Sequence, residues 1–469
     1  MNNDNNSLVK KTLIYLAGNF SSKIFGVIII PIYATYLTAS QLGKFDYQQT
    51  IAGLLNPIIV LALWEGVLRF GLKAQGNELK RVLSTAAIIA SGTLSLFLVI
   101  LTVTYTQLYG ISLTTLLYVT MIIFLPIIQL LGYMVRAIHK TKVFAFSGMI
   151  SSGLNLFGIL IFVVFLHQGL KGLLVSAVLA NLFNSIYLFL GGGLQKYISI
   201  RYYSKDEGRR LLSYSIPLIF NLVFVWFTYG FSRFYINLSI GSTANGIYAF
   251  ANKFAILLLQ VAQIINMTMI EDAVLTNGTA DWTKRFEENI EKVVNVFFQV
   301  SLLFIPVVGI YYQTVSNQKF QSSLVYVPFM IFSVLLSNIS VLLGNIFSVF
   351  NQTSKIFIST AISGVVNMVG AVLLGHFWGI LGVVLAQILG GMVLIIIRYI
   401  HGNKIEKYSF NFKVLIINTL FFGAVSLVVL SRKISLQIIV LLLVSIIIGY
   451  LYRKFIADTL LNLKNKLSK

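Results

Sequence analysis

The chain has 469 residues, of which 57% are hydrophobic and only 10% charged, with a mean hydropathy of +0.87. A soluble domain carries about 25% charged residues, so soluble enzymes are excluded as a class and an all-α polytopic membrane protein is expected. A net charge of +21 would suggest a nucleic-acid ligand in a soluble chain; in a membrane protein it reports topology.

Residues 1–11 are polar and run without a small-residue cleavage site into an apolar segment, which reads as a first membrane helix and not a signal peptide. A helix needs about 20 apolar residues to cross a bilayer. Fourteen runs qualify: 12–37, 46–68, 82–105, 113–135, 143–166, 170–191, 211–238, 244–270, 293–312, 322–350, 355–376, 379–400, 412–431 and 434–452. Only residues 376–379 separate the eleventh from the twelfth. Gly191, Gly192 and Gly193 open a long connection that reads as a flexible linker. The stretches from Trp282 to Lys292 and from Phe455 to Lys469 are amphipathic and are expected on the inner membrane surface.

Basic residues mark the cytoplasmic side. With the N-terminus inside, the inner segments and tail hold 27 Lys and Arg and the outer segments five: Lys44, Lys171, Lys319, Arg432 and Lys433. Both termini are therefore placed in the cytoplasm. With no cysteine, disulfides and thiolate metal sites are excluded. His139, His167, His376 and His401 stand apart from one another and from carboxylates, and no phosphate-binding loop of the G-x-x-x-x-G-K-[ST] type occurs. No cofactor and no metal are expected.

The chain repeats itself. Lys142 opens K-V-F-A-F-S-G-M-I-S-S-G-L-N, and Lys355 opens K-I-F-I-S-T-A-I-S-G-V-V-N, so that Asn155 matches Asn367. The run G-L-K-G from Gly169 matches G-I-L-G from Gly379, and Gly43-Lys44-Phe45 matches Gly246-Ile247-Tyr248. Two parallel six-helix repeats follow, with an appended helix pair. The lobes are 1–191 and 211–402, joined by a cytoplasmic linker at 192–210; residues 403–469 carry helices 13 and 14 and the basic tail. Transporters built this way place substrate between their halves and rock one against the other. All six prolines fall inside spans, and Pro31 and Pro217, in the first helix of each half, are hinge candidates; static kinks that improve packing are the plainer reading.

Lys23, Arg233 and Lys253 lie within spans, where a charge at the helix centre costs about 2.5–3.5 kcal/mol. With no acidic residue read near the midplane, they outline a cationic cavity that favours an anionic group. The competing readings are lysines that bond backbone carbonyls and an arginine that snorkels outward. Glu65 and Arg69, four residues apart, read as a structural or gate pair on one helix face.

The run from Leu211, L-L-S-Y-S-I-P-L-I-F-N, and that from Ser232, S-R-F-Y-I-N-L-S-I-G-S-T-A-N-G-I-Y-A-F-A-N-K-F, resemble the second half of bacterial polysaccharide flippases of the multidrug/oligosaccharidyl-lipid/polysaccharide exporter superfamily. The runs from Ser22 to Asp46 and from Gly66, G-V-L-R-F-G, resemble that family's opening. The resemblance implies a flippase for an undecaprenyl-diphosphate-linked oligosaccharide in the bacterial cytoplasmic membrane, with the diphosphate in the cationic cavity and the polyprenyl tail along helices 13 and 14. In the family an acidic residue often precedes the arginine of the seventh helix; here that position is Ser232, which leaves a coupling H+ or Na+ site open. The alternatives are a multidrug exporter of the same superfamily, which calls for intramembrane carboxylates, and a membrane polysaccharide polymerase or ligase, which calls for a long outer loop. Both features are scarce here.

Overall fold

The computed structural model describes residues 25–279, 281–315 and 318–453, without the side chains of residues 229, 261, 264, 267, 268 and 271. Among the described residues there is no strand. Among the same described residues, ten helical stretches are long and apolar enough to cross a membrane, or eleven when one bent pair is counted as a single span. The sequence count was fourteen. Only Phe25–Tyr36, α1, is described of the first run, and the eighth run lies on a helix whose side chains are partly outside the description. The eleventh and twelfth runs are two helices that meet at Gly379, whose non-helical backbone (φ +59°) interrupts the stretch Thr353–Gly402 where the turn was expected, so that stretch holds two of the expected spans.

The chain divides into two compact units, Met1–Ala249 and Phe250–Lys469. The first holds α2 (Ala39–Ile59), α3 (Leu63–Gly71), α4 (Gly76–Tyr109), α5 (Leu113–Ala137), α6 (Thr141–Ile159), α7 (Gly169–Gly192), α8 (Lys205–Tyr229), the short α9 (Phe231–Tyr235) and the start of α10 (Ser242–Leu275). Thr38 starts α2 by accepting from the Gln41 amide while Gln41 accepts from the Thr38 amide, a reciprocal cap. The run read as 46–68 is broken. Leu61 and Ala62 take positive φ (53° and 49°), and α2 and α3 meet at 55°. Pro57 stands just before the break, and its carbonyl accepts from the Ala62 amide at 2.8 Å.

The matched glycines have matched jobs. A Cβ on Gly43 would stand 1.8 Å from the Ser242 carbonyl oxygen, and one on Gly246 would stand 1.7 Å from that of Ala39. Each helix start thus lies in a notch of the other, reciprocally, and Asn245 seals the crossing by donating to the Gly43 carbonyl at 2.9 Å. The second matched pair makes turns. Gly169 and Gly379 have φ of +54° and +59°, a region open to glycine at no steric cost. Three residues on, Gly172 and Gly382 press against the carbonyls of Phe162 and Leu374, at 2.8 and 1.9 Å from a built Cβ.

The glycine-rich connection is pinned, not loose. Ser84 on α4 donates to the Tyr197 carbonyl and accepts from the Ser199 amide, and Thr85 accepts from the Ser204 amide. Ser204 then caps α8, which starts at Lys205, earlier than the apolar run.

The second unit holds the rest of α10, with α11 (Trp282–Thr314), α12 (Val327–Val349), α13 (Thr353–Gly402), α14 (Phe412–Leu430) and α15 (Ile434–Leu451). The stretch 282–292 is the first part of α11 and is docked by its own apolar face: Trp282 and Phe286 are buried and meet Phe350 and Tyr408 edge-on. The stretch is helical as the amphipathic pattern requires, and its apolar stripe is covered by aromatic partners of its own unit; Phe455–Lys469 lies outside the described residues. The appended pair is held to α11 by side-chain bonds: Asn418 donates to Asn295, Gln313 to Gln437 and Tyr452 to Gln299, at 2.8–2.9 Å. Without water, such interhelical bonds hold helices together at about 0.6 kcal/mol each on average.

Candidate functional site

The helix break builds a cavity of about 460 Å³ wholly within the first unit. α2 supplies Gln49, Thr50, Gly53, Asn56 and Pro57; α3 supplies Trp64 and Glu65; α5 supplies Gln129 and Tyr133. Leu222, Val225 and Trp226 of α8 close it, with Gly230 and Arg233 beyond. Bent or broken membrane helices are tolerated where they line a cavity. Trp226 is fixed by donating its indole N–H to the Thr50 carbonyl at 2.9 Å, and its ring lies where a Cβ on Gly230 would stand.

Arg233 is the cationic wall. Its Nη1 stands 3.5 Å from Asp46 Oδ1, longer than the ~2.7–2.9 Å of a charge-assisted hydrogen bond. Tyr248 also bonds the guanidinium, while its Nε is buried and donates to no group among the described residues, so one N–H of this cation is left unmade at a residue that lines the cavity. The pair corrects the reading of Arg233 as an uncompensated charge. The second run was read as starting at Asp46, at the edge of the span, but α2 begins at Ala39, so Asp46 lies two turns inside the helix and is buried. Asn245 also donates to it, at 3.4 Å. Ser232 is buried, and the carboxylate absent from that position arrives through space from α2.

Glu65 lines the cavity and accepts from the Trp64 indole at 3.0 Å. It forms no ion pair with Arg69, which corrects the expected pair. The Arg69 guanidinium instead lies over the Tyr214 ring, 4.5 Å from its centre. The aromatic face of α8 claims the arginine, while its neighbour turns toward the cavity.

Lys23 lies outside the described residues. Lys253 is half-buried on α10 in the second unit and is engaged with the protein. The structure therefore describes one of the three cations at the cavity. Pro31 and Pro217 sit within helices that continue past them; the described break is at 60–62. Sequence reading missed three things. It began the second run only at Asp46, found no mark of the break beyond Pro57, and gave no role to Arg398, two residues from the end of the run 379–400. Arg398 is buried in α13. Its Nη1 donates to the Ser340 carbonyl at 2.7 Å, Nη2 to Thr360 Oγ1 at 3.1 Å and Nε to Ser359 Oγ at 3.3 Å.

The model of a family described as polysaccharide biosynthesis protein matches residues 8–270, more than half of the chain. No curated protein matches the sequence. Among solved structures, the lipid II flippase MurJ in an inward closed conformation is similar over 95% of this chain and 100% of its own, with 14% identity and a TM-score of 0.69. A multidrug resistance MATE family transporter of the MOP superfamily, in an inward-facing conformation, is similar over 81% of this chain and 94% of its own, with 13% identity and a TM-score of 0.63. At these identities the likeness is one of fold. The runs from Leu211 and Ser232 in which the resemblance was first seen fall within the matched residues: the chain belongs to the polysaccharide biosynthesis protein family and is a multi-pass membrane protein with the fold that MurJ and the MATE transporters share.

Proposed function

We propose that the protein is a flippase that moves an undecaprenyl-diphosphate-linked oligosaccharide repeat unit across the bacterial cytoplasmic membrane by alternating access, for surface polysaccharide assembly. The observation that carries this reading is Arg233: a loosely paired guanidinium with a buried, unsatisfied N–H in the wall of a 460 Å³ cavity. Arginine presents a planar fork that suits phosphate oxygens. The diphosphate binds there, and Lys23 and Lys253 add positive charge along its path. Pro31 and Pro217 act as hinges of the rocking lobes 1–191 and 211–402. Both termini face the cytoplasm, as the basic bias requires. A coupling H+ or Na+ would use Asp46 or Glu65. No chemistry on the substrate is invoked, so the protein acts as a transporter and not as an enzyme.

One observation favours a second reading. Glu65 offers a carboxylate to the cavity, which a multidrug exporter would use for cationic drugs. Deleting the gene separates the two. A flippase mutant accumulates lipid-linked repeat units on the inner leaflet and loses surface polysaccharide. Normal surface polysaccharide together with hypersensitivity to cationic dyes would overturn the flippase reading.

A further inference from the structure

A second cavity in the first unit, of about 330 Å³, is lined by Gln49, Ser151, Ser152, Asn155 and Asn181, with Met121 among its apolar residues. Gln49 lines both cavities, so one side chain forms a shared wall. The chemistry on the two sides differs. The first cavity carries Arg233 and Glu65, whereas none of the residues lining the second is charged. Amides and hydroxyls there alternate with alanine and leucine.

The Oδ1 atom of Asn155 is buried and has no hydrogen-bond partner among the described residues. Leaving a buried acceptor unmade costs free energy, and such an atom in a native structure calls for an explanation. A carbonyl oxygen only accepts, so whatever satisfies it must donate. A deprotonated phosphate cannot donate, and a bare cation, though neutral oxygens can hold one, offers no acceptor to the amide and hydroxyl donors of the same wall. A hydroxyl or an amide N–H fits. The volume lies at the lower end of the ~300–1,000 Å³ usual for small-molecule sites.

We propose that this second cavity is the subsite for an uncharged, polyhydroxylated group, the sugar nearest the diphosphate, with Asn155 Oδ1 accepting from a sugar hydroxyl or acetamido N–H. The assignment rests on the flippase reading, under which the diphosphate occupies the Arg233 cavity on the other side of Gln49. The headgroup then straddles Gln49, charge on one side and hydroxyls on the other. Sugar and diphosphate are selected by separate walls.

The test uses the full chain in lipid nanodiscs and two probes: the lipid-linked glycan that accumulates in the deletion strain, and undecaprenyl diphosphate without sugar. Binding is read from the fluorescence of the chain's tryptophans, of which Trp64 and Trp226 line the first cavity. The glycan-bearing lipid should bind at least about tenfold tighter than the bare diphosphate. Asn155→Ala should shrink that ratio to threefold or less and leave the Kd of the bare diphosphate unchanged. Should Asn155→Ala fold poorly, the Ser151→Ala, Ser152→Ala double variant, which removes two hydroxyls and opens little space, should shrink the ratio in the same direction. A ratio near one in the wild type, or an undiminished ratio in the variants, overturns the subsite. A deletion strain that accumulates no lipid-linked glycan instead brings down the flippase reading, and the sugar assigned to this cavity with it.

Discussion

The two units each hold an arginine within an apolar helix, buried in the second and partly buried in the first, and treat it in opposite ways. In the second unit, Arg398 spends all three guanidinium nitrogens on neutral acceptors of α12 and α13, and no carboxylate bonds to it among the contacts described. Gly344 makes room for it: a Cβ there would stand 2.8 Å from Nη1. In the first unit, Arg233 has a carboxylate nearby, yet holds it at 3.5 Å and leaves Nε unmade beside a cavity. An arginine with every donor engaged is a staple between helices. One with donors to spare beside open space is a binding group. Charge and burial alone do not separate the two; the donor count does.

The largest effect should come from cutting the staple. Arg398→Ala removes three charge-assisted bonds and leaves a void, and such bonds contribute about 1.5–3 kcal/mol apiece. We expect a loss of about 3 kcal/mol or more, read as a lower Tm of the purified protein and a reduced amount in the membrane. The acceptors keep partners of their own, since Ser359 and Thr360 both donate to the Ile356 carbonyl. Arg398→Met, which nearly restores the volume, should therefore recover most of the stability and retain transport. An Ala variant with wild-type Tm would remove Arg398 from the role of staple.

These two arginines also show what could be read in advance. Arg233 was legible because an arginine inside an apolar run demands an explanation. Arg398 was not, because it sits two residues from the end of the run 379–400, where a basic residue looks the same in sequence whether it anchors the end of a span or bonds its neighbours. Asp46 was hidden in a similar way: the run was read from Asp46 itself, a position at the edge of a span, yet Thr38 caps the helix two turns earlier. The paired glycines could be read, since a notch between backbones admits nothing larger and the repeat spells it twice. The break at Leu61 and Ala62 could not, because left-handed backbone in apolar residues without glycine leaves no trace in composition. Glu65 and Arg69 have the spacing of an ion pair, but Tyr214, 145 positions further along the chain, decides where the arginine goes.

A second, more selective effect should follow from the same substitution at the other arginine. Arg233→Met leaves the buried Asp46 without its counter-charge and with Asn245 as a donor, so the fold should lose about 3 kcal/mol. Transport should fall at least about tenfold in a complementation assay of surface polysaccharide, per molecule of protein in the membrane. Transport retained by Arg233→Met and lost by Arg398→Met would reverse the assignment of staple and binding group.

The smallest effect is the most discriminating, because its sign is unusual. Asp46 competes with any anion for Arg233. Asp46→Asn keeps the shape of the side chain and an oxygen facing the guanidinium. It removes the negative charge that a diphosphate must otherwise displace. Asn245 stays anchored through its bond to the Gly43 carbonyl, so the crossing of α2 and α10 should hold. Undecaprenyl diphosphate should then bind about threefold tighter than to the wild type, and the gain should persist as salt is raised, since a buried charge is screened little. Release should slow by a similar factor, so tighter binding should come with slower turnover. Weaker binding in Asp46→Asn would mean that Asp46 orients Arg233 toward the ligand and does not compete with it, and the loose 3.5 Å pair would then be part of the binding group itself.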